Sequence, residues 1–468
     1  MTSLPYPSFC SNLPSTSPSS IALSAVGRCR INPNTIPATT TADAVDYKSI
    51  VSKCTEQGQT DEKEDKKLRK KYMKQGVALA QSYLSQTLNL DVSIVDVEIV
   101  LENEDVLNTD GCLASCFLDA GCARIVVNGT SDKSEEVMEV CRLPKERMVA
   151  HVTLQGDSVV VEKKVLDVVS NYAATISVAW ETFDLEKLSQ YQEEMQKLIK
   201  EGPDDHIEIV LQIPSSDDID SILGAVCKKF KGHGTIALID PTATQLGMSF
   251  AACCRTDRPD GLYTTVVCTR SNEALGLVYS SKESIVAALE CGRGVYYSRS
   301  RKGLWRKGDT SGHFQSLHRI DVDCDSDAIR FMVTQHGDDV AAFCHLNTFT
   351  CWGEPHGLRH LEGTLKKRLN DAPAGSYTKR LFDDEQLLRD KLVEEAQELS
   401  EAENKQHAAE ELADVLYFAM VKAAKMGVSI DDAAAELDKR SRKVTRRKGD
   451  SKAFRIAKGD EILGKSQE

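Results

Sequence analysis

The sequence predicts a multidomain protein with an N-terminal α/β region, a central β-rich α+β domain and a C-terminal all-α domain. A chain of 468 residues is too long for one ordinary hydrophobic core, so two to four domains are expected. Short β-type runs alternate with helical runs to about residue 241, turn-rich β-type runs follow, and a strongly helical stretch begins near Asp383. These changes divide the chain into residues 1–45, 46–241, 242–354, 361–450 and a tail, 451–468.

The composition is that of a soluble globular protein, with 41% hydrophobic and 28% charged residues. No run approaches the roughly 18 apolar residues that a membrane-spanning helix needs. The net charge of −13 argues against nonspecific binding of nucleic acid. The 15 cysteines are odd in number and no apolar signal segment opens the chain, so we expect a reducing, cytoplasmic location.

Residues 1–42 have a strong compositional bias. They contain no Asp or Glu, many Ser and Thr, and only Arg28 and Arg30 as charged residues. A disordered tail is the favoured interpretation. Transit peptides share this bias, so a plastid or another organelle is the alternative location.

Between residues 46 and 241, β-type and helical runs alternate. The β-type runs are Val92–Leu101, Ala123–Val127, Met148–Leu154, Thr175–Ala179, Ile207–Ile213 and Thr235–Ile239, and helix candidates include Glu135–Arg142, Leu185–Lys200 and Asp217–Lys229. This alternation predicts βα units and a parallel sheet. A degenerate sugar-phosphate-binding barrel or half-barrel is one interpretation, and no catalytic constellation is apparent. Asp119-Ala120-Gly121 indicates only a helix-to-strand turn.

The central domain carries three thiols with metal-ligand character. Its predicted strands are Tyr263–Cys268, Leu275–Tyr279, Gly294–Ser298, Ile320–Val322 and Ile329–Thr334, with one helix at Ser281–Glu290. Cys344 and Cys351 are seven residues apart and Cys324 lies twenty residues earlier, so a loop could bring all three together. Three thiolates with one open position are typical of a catalytic zinc, which lowers the pKa of a bound water. His345 is then a candidate general base. The alternative is three buried thiols beside a surface histidine.

Three carboxylates alternate beside the first of these thiols. Asp323, Asp325 and Asp327 would point to one side of an extended chain. Like charges in such a row repel unless a cation neutralises them, and all-oxygen ligation suits magnesium. The alternative is a solvated acidic loop.

A basic, glycine-rich segment precedes the carboxylates. Its cations are Arg299, Arg301, Lys302, Arg306 and Lys307, and its hydroxyl and glycine residues are Ser298, Ser300, Gly303, Gly308, Thr310, Ser311 and Gly312. Such a segment supplies the donors and the close backbone approach that a phosphate needs. Trp305 could stack on a base. The alternative is an exposed basic hairpin.

Residues Leu246–Glu354 resemble phosphoribosyl-AMP cyclohydrolase. The motifs that carry the resemblance are Ser298-Arg299-Ser300, the run from Trp305 to His313, Asp323-Cys324-Asp325-x-Asp327, and Cys344-His345 with Cys351. It implies zinc on the three cysteines, magnesium on the three aspartates, substrate contacts in the basic segment including His313, and a homodimer that shares the zinc site. The loop between Cys324 and Cys344 is longer than in bacterial members.

The C-terminal region carries a second carboxylate cluster. In the predicted helix from Leu387 to Leu399, Glu395 falls within the apolar stripe and Glu398 at its edge. Glu411 and Asp414 repeat the pattern three residues apart, and Asp414 is the only charge in the run Leu412–Val421, so its burial is expected. Buried carboxylates need a partner or a metal, and two facing helices would form a magnesium site for a polyphosphate. The alternative is two solvated acidic faces.

Residues Leu361–Lys448 resemble phosphoribosyl-ATP pyrophosphohydrolase. The motifs are Glu394-Glu395-x-x-Glu398, Glu411-x-x-Asp414, Gly375-Ser376-Tyr377-Thr378, Leu381-Phe382 and Lys391. The resemblance implies magnesium on the five acidic residues, with Glu395 and Glu398 as catalytic candidates. Lys391, Arg446 and Arg447 are candidate phosphate contacts.

Together the resemblances imply the second and third steps of histidine biosynthesis, with phosphoribosyl-ATP and phosphoribosyl-AMP as substrates. Some fungal relatives carry a third enzyme, a dehydrogenase, and we expect none within these 468 residues. A nucleotide-housecleaning pyrophosphatase fused to another zinc hydrolase is an alternative. A zinc deaminase would need a Cys-x-x-Cys pair, which the sequence lacks. A non-catalytic, zinc-stabilised scaffold is the remaining alternative.

Overall fold

The computed structural model describes residues 9–12, 28–35, 45–58, 66–88, 90–154, 171–173, 175–180, 184–201, 207–214, 222, 225–226, 235–239, 242–337, 341–445 and 453–463. The chain forms two compact units. The first contains residues 1–352 and 438–445, and the second contains residues 353–437 and 446–468. No helix in these described ranges has the length and apolarity to span a bilayer.

Eight parallel strands form a closed barrel in the first unit. They are β1 (Phe9–Asn12), β2 (Arg28–Ile31), β3 (Asp96–Val100), β4 (Arg124–Asn128), β5 (Met148–Leu154), β6 (Thr175–Trp180), β7 (Ile207–Pro214) and β8 (Thr235–Ile239). Each strand pairs with the next in the chain, and β8 closes the barrel on β1. The predicted parallel sheet is therefore confirmed, as a closed barrel and not a half-barrel.

Part of the N-terminal segment belongs to this barrel. Strands β1 and β2 lie within residues 1–42, and Cys10 and Arg28 are partners in their register. The expected disordered tail is therefore wrong for residues 9–12 and 28–35, because their backbone groups complete the ladder between β8 and β3. The other residues of the segment lie outside the described ranges.

Eight helices of the described ranges lie in the first unit. They are α1 (Tyr47–Gly58), α2 (Lys66–Ser82), α3 (Asn103–Asn108), α4 (Cys112–Ala120), α5 (Ser134–Cys141), α6 (Leu188–Glu201), α7 (Ala243–Cys253) and α8 (Lys282–Cys291). Most of the helix candidate Asp217–Lys229 lies outside the described residues.

Asp119 does more than end a helix. Its carboxylate is buried and accepts hydrogen bonds from the backbone N–H groups of Val444 (2.9 Å) and Thr445 (3.1 Å). The predicted turn is present, since α4 ends at Gly121 with φ of 117°. The carboxylate also anchors a segment more than 300 residues away in sequence, which no local pattern could indicate.

The first unit also contains a mixed six-stranded sheet in the order β12-β11-β10-β9-β14-β13. The strands are β9 (Tyr263–Cys268), β10 (Ala274–Ser280), β11 (Val295–Ser298), β12 (Gly303–Arg306), β13 (Gln315–Val322) and β14 (Ala328–Gln335). Helix α8 begins at a capping box formed by Ser281 and Ser284. Strand β12 was not predicted, because its glycine and charges indicate a loop when no pairing partner is known.

The second unit is helical. Its described helices are α9 (Gly357–Asp371), α10 (Tyr377–Asp383), α11 (Glu385–Glu401), α12 (Lys405–Lys425), α13 (Ile430–Ser441, whose last residues group with the first unit) and α14 (Ala453–Ile462). Asp384 and Asn404 cap α11 and α12 through their side chains. The predicted helical C-terminal region is confirmed. Its core is small: Leu365, Leu381, Phe382, Leu388, Phe418, Met420, Val421 and Ala424.

Candidate active sites

Three aspartates meet in the turn between β13 and β14. Carboxylate oxygens of Asp323, Asp325 and Asp327 lie within 4.8 Å of one another. Asp323 Oδ1 accepts the backbone N–H groups of Asp327 (3.0 Å) and Ala328 (3.1 Å), and Ser326 is left-handed with φ of 66°. The carboxylates therefore converge because the chain turns, and not because they alternate along an extended strand. Desolvation, followed by the neighbouring charges, raises the pKa of Asp327.

Cys344 and Cys351 lie at the two ends of a closed loop. The backbone N–H of Cys344 donates to the Thr348 carbonyl at 3.2 Å, and that of Cys351 donates to Leu275 on β10 at 2.8 Å. Gly276 makes this approach possible, because a Cβ there would lie 2.9 Å from Cys351 Sγ. Cys351 is thereby held against β10, and Cys344 lies at the other end of the same loop.

The two thiols have opposite pKa shifts. The backbone N–H of Leu346 is the largest cause that lowers the pKa of Cys344. Burial and the charge of Cys344 raise the pKa of Cys351, and Lys307 partly opposes that shift. Cys344 therefore ionises first, and the thiolate is the form that binds metals.

Cys324 does not join this pair within one chain. It is exposed in the β13–β14 turn, and no group of three metal-ligating side chains found in the described ranges contains it. The expectation that a loop gathers all three thiols is wrong for the single chain, because Cys351 is fixed to β10 and Cys344 belongs to the loop that precedes it, whereas Cys324 lies in a different turn. His345 is exposed, with Nδ1 3.8 Å from Cys344 Sγ.

The β11–β12 hairpin lines an open groove of about 590 Å³. Three predicted substrate contacts, Arg299, Ser300 and Trp305, lie on it. The guanidinium carbon of Arg299 lies 4.1 Å from the centre of the Tyr279 ring, and that of Arg258 lies 4.3 Å from the same centre. The groove thus combines the Arg299 cation, serine hydroxyls and aromatic faces, which suits a phosphorylated nucleotide. Arg258 and Tyr279 were missed, since Arg258 lies about 40 residues before the basic segment and Tyr279 lies in a predicted apolar strand.

Lys307 is not placed to contact a phosphate. It is 5% exposed, and its ammonium donates to the carbonyls of His313 and Ala342, both at 3.1 Å. Desolvation lowers its pKa. The prediction from charge alone is wrong here, because the next residue after β12 turns inward while Arg306 stays exposed.

Four more predicted contacts of the basic segment lie in the turn after β12. Thr310, Ser311 and Gly312 are exposed and do not line the groove, and His313 is half-buried. His313 Nδ1 is buried without a hydrogen-bond partner in the described part of the chain. The structure therefore divides the predicted phosphate loop into a groove-lining hairpin and a separate turn.

Helices α11 and α12 bring carboxylates together in the second unit. Oxygens of Glu395, Glu411 and Asp414 lie within 4.8 Å of one another. Glu395 is 6% exposed, so its predicted burial is confirmed. Desolvation, followed by the charges of Glu411 and Glu395, raises the pKa of Glu398, which places this fourth carboxylate beside the group.

Asp414 is exposed, contrary to prediction. The apolar run around it buries only one face of α12, including Phe418 and Val421, while Leu412 stays 46% exposed. A run of apolar residues predicts a buried helix but not which of its faces is covered within one chain.

Lys391 occupies the edge of the cluster. Its ammonium lies 2.7 Å from Glu395 Oε1 and 2.8 Å from Glu394 Oε2, and these carboxylates raise its pKa. Glu411 also pairs with His407 at 3.3 Å, a neighbour that the sequence analysis missed although it lies one helical turn away. Arg446 and Arg447 lie outside the described residues.

Two family models match consecutive parts of the chain. Residues 276–353 match phosphoribosyl-AMP cyclohydrolase and residues 358–441 match phosphoribosyl-ATP pyrophosphohydrolase. The first range contains the aspartate turn and the thiol pair, and the second contains the helical carboxylates.

Curated relatives agree with these matches. The chain is 55% identical over 199 residues to the histidine biosynthesis trifunctional protein of Saccharomyces cerevisiae, covering 42% of this chain and 24% of the relative. It is 47% identical over 238 residues to the histidine biosynthesis bifunctional protein of Schizosaccharomyces pombe. That match covers 48% of this chain and 56% of the relative. The chain therefore spans between about a quarter and about half of these fungal relatives.

A shorter relative is covered almost completely. The chain is 32% identical over 199 residues to the histidine biosynthesis bifunctional protein of Pyrococcus furiosus. The match covers 39% of this chain and 93% of that protein. The chain carries a phosphoribosyl-AMP cyclohydrolase domain followed by a phosphoribosyl-ATP pyrophosphohydrolase domain, and it belongs to the family of histidine biosynthesis bifunctional proteins.

Proposed function

We propose that this chain catalyses two consecutive hydrolyses. The helical domain would convert phosphoribosyl-ATP to phosphoribosyl-AMP and pyrophosphate, and the central domain would open the adenine ring at the N1–C6 bond. The observation that carries the proposal is that each family match encloses its own cluster of metal-type ligands. We assign residues 242–354 to the phosphoribosyl-AMP cyclohydrolase domain and residues 361–450 to the phosphoribosyl-ATP pyrophosphohydrolase domain, with a cytoplasmic location.

The helical carboxylates fit magnesium. All their ligand atoms are oxygens. Glu411 Oε2 is buried without a hydrogen-bond partner among the described residues, so a bound cation would stabilise its negative charge. Glu394, Glu395, Glu398, Glu411 and Asp414 would hold the ion, which neutralises charge on a polyphosphate. Glu395 or Glu398 would orient and deprotonate the attacking water, while Lys391 would contact the phosphates.

The thiol pair fits zinc, given a third thiol. Cys344 and Cys351 offer two ligands, and Cys324 of the partner subunit would supply the third in a homodimer. Zinc at such a site lowers the pKa of a water. His345, exposed beside Cys344, would accept a proton from that water, and Asp323, Asp325 and Asp327 would hold magnesium.

The groove supplies the recognition. Arg299 and Ser300 would bind the substrate phosphate, Trp305 would stack on the base, and Arg258 would add a second cation beside Tyr279. The exposed turn Thr310–Gly312 keeps its predicted role as a phosphate contact for a substrate that extends beyond the groove.

The direct test is incubation of the full chain with phosphoribosyl-ATP, magnesium and zinc, with products followed by mass spectrometry. Pyrophosphate and a ring-opened phosphoribosyl product, formed in that order, are expected. Accumulation of phosphoribosyl-AMP under full zinc loading would refute the cyclohydrolase assignment. No cleavage, or equal cleavage of common nucleoside triphosphates, would instead favour a scaffold or a housecleaning enzyme.

A mixing experiment tests the shared zinc site. Cys324→Ser and Cys344→Ser proteins should each lack ring opening. After unfolding and refolding together at equal amounts, about one quarter of the sites should be intact, because half of the dimers are mixed and each has one complete site. Activity that stays absent after mixing would show that the three thiols do not meet across subunits.

A further inference from the structure

A cluster of four sulfur atoms lies among the helices of the first unit, outside both family matches. It comprises Cys54 of α1, Met73 of α2, and Cys112 and Cys116 of α4. The three thiols lie within 4.8 Å of one another and are 1%, 7% and 0% exposed. We call these four residues the sulfur cluster.

The sulfur–sulfur distances are short and nearly equal. Cys116 Sγ lies 3.7 Å from Cys54 Sγ and 3.8 Å from Cys112 Sγ. The Met73 thioether lies 3.5 Å from Cys116 Sγ and 3.8 Å from Cys112 Sγ. Cys116 Sγ therefore contacts the other three sulfurs, and the Met73 thioether also contacts Cys112 Sγ.

Four of the six sulfur–sulfur separations match those of a tetrahedral metal site, and the separation of Cys54 and Cys112 is no more than 4.8 Å. Zinc–sulfur bonds are about 2.3 Å, so two sulfurs of one tetrahedron lie about 3.8 Å apart. A disulfide would need about 2.05 Å, and none of the three thiols forms one. An ion at the centre of the cluster would therefore require little movement of the side chains.

The backbone is arranged to bring these sulfurs together. Cys112 and Cys116 are four residues apart, so they lie on one face of α4. Gly76 on α2 leaves the space open, because a Cβ there would lie 2.7 Å from Cys116 Sγ and 3.4 Å from Cys54 Sγ. Any side chain at this position would push the thiols apart.

We propose that the sulfur cluster binds one thiophilic d10 metal ion, zinc or cuprous copper, in a closed structural site. Thiolate and thioether ligands select this class of ion, and the thioether favours cuprous copper. Binding releases the thiol protons to solvent, and the positive ion offsets the cost of burying thiolates. Four protein ligands leave no open position, so the role is to tie α1, α2 and α4 together and not to catalyse.

The test uses full-length protein carrying Cys344→Ser and Cys351→Ser, which removes the thiol pair of the central domain. Metal-free samples are loaded anaerobically with zinc or with buffered cuprous ion, and the bound metal is counted by elemental analysis. One ion per chain with a sulfur-only shell in X-ray absorption is expected. Adding Cys54→Ser and Cys116→Ser should remove it, whereas Cys141→Ser, at a buried cysteine elsewhere, should not.

A milder variant guards against loss of folding. Met73→Leu keeps the apolar volume of the side chain but removes the thioether. The affinity for the ion should fall at least about tenfold, since even the loss of a group outside the ligand shell lowers metal affinity that much. Metal should also raise the melting temperature of the parent but not of the cysteine variant. Equal metal content in parent and cysteine variant, or unchanged affinity in Met73→Leu, would overturn the four-sulfur site.

Discussion

Single residues show where periodicity alone succeeds and where it fails. Glu395 falls on the apolar stripe of its helix and is buried, as the sequence predicts. Lys307 carries a charge in a basic run, yet its ammonium is buried against two carbonyls. Charge predicts a partner, but only the local path of the chain decides whether that partner is a ligand or the protein itself.

Glu395→Gln should abolish pyrophosphate release while leaving ring opening of supplied phosphoribosyl-AMP unchanged. The rate should fall at least about 100-fold, because a neutral amide replaces a charged metal ligand. Without magnesium the variant should be no less stable, since it removes one of several crowded negative charges. Both reactions are followed by chromatography.

Glu403→Gln is the matched control, because Glu403 is exposed and outside the cluster. An equal loss in that control would show that the effect is not specific to the metal site.

His151 should make the barrel sensitive to acid. Its ring nitrogens contact the hydroxyls of Ser177 (3.1 Å) and Thr153 (3.2 Å), and burial, followed by the Arg30 charge, lowers its pKa to about 3. The unfolded chain binds a proton first, so stability is fully present above the unfolded pKa of 6.5 and is lost as the pH falls towards 3.

Urea unfolding at several pH values should show that wild type loses stability in this range relative to His151→Gln. The exposed His360→Gln should behave as wild type. If the free energy of unfolding varied with pH in the same way in wild type and His151→Gln, the lowered pKa of His151 would be contradicted.

At the scale of elements, short-range geometry positions the chemical groups. Strand β10 accepts the Cys351 loop only because Gly276 has no side chain: a Cβ would lie 2.2 Å from the Phe343 ring. The aspartates meet because one turn reverses β13 into β14. Neither arrangement follows from the spacing of the metal-type residues themselves.

Gly276→Ala should therefore displace the thiol loop and abolish ring opening, while pyrophosphate release from the helical domain continues. Zinc affinity, measured with a chelating indicator, should fall together with the activity. Gly363→Ala on α9 is the control, since a Cβ there meets nothing within 4 Å. Full ring opening in Gly276→Ala would show that the loop tolerates displacement.

Inside the barrel, strands β2, β3 and β4 are joined by buried charges. Glu98 is 0% exposed and accepts from Arg30 Nε at 2.9 Å and Arg124 Nε at 2.8 Å. Glu98→Gln should destabilise the protein by about 3–5 kcal/mol, because it leaves the buried Arg30 and the partly buried Arg124 without their shared anion. Denaturant titration measures the loss, and the exposed Glu102→Gln should cost little. A similar stability of both variants would contradict an essential ion pair.

At the scale of the whole molecule, the described residues form two hydrophobic cores. The core of the first unit includes barrel and sheet residues, whereas that of the second contains eight buried side chains. Surface-to-volume scaling makes the smaller core less stable. Leu412 and Leu437 are 46% and 63% exposed, so they add little to the apolar surface that the single helical unit buries.

Calorimetry should accordingly show two unfolding transitions, with the helical domain melting first. Magnesium should raise the lower transition selectively, because it binds the folded carboxylate cluster. A single transition whose calorimetric and van't Hoff enthalpies agree would contradict independent units.

The sequence by itself determined the alternation of strands and helices from β3 to β8, the parallel character of the first sheet, both families and the burial of Glu395, because these depend on periodicity and on local motifs. Only the tertiary structure decided that β1 and β2 close a barrel, that Cys324 stays apart from Cys344 and Cys351, and that four sulfurs meet at Gly76. Those outcomes depend on contacts between residues distant in sequence. A local sequence pattern indicates secondary structure and the chemistry of a segment, but it does not indicate which residues distant in sequence the fold will bring beside that segment.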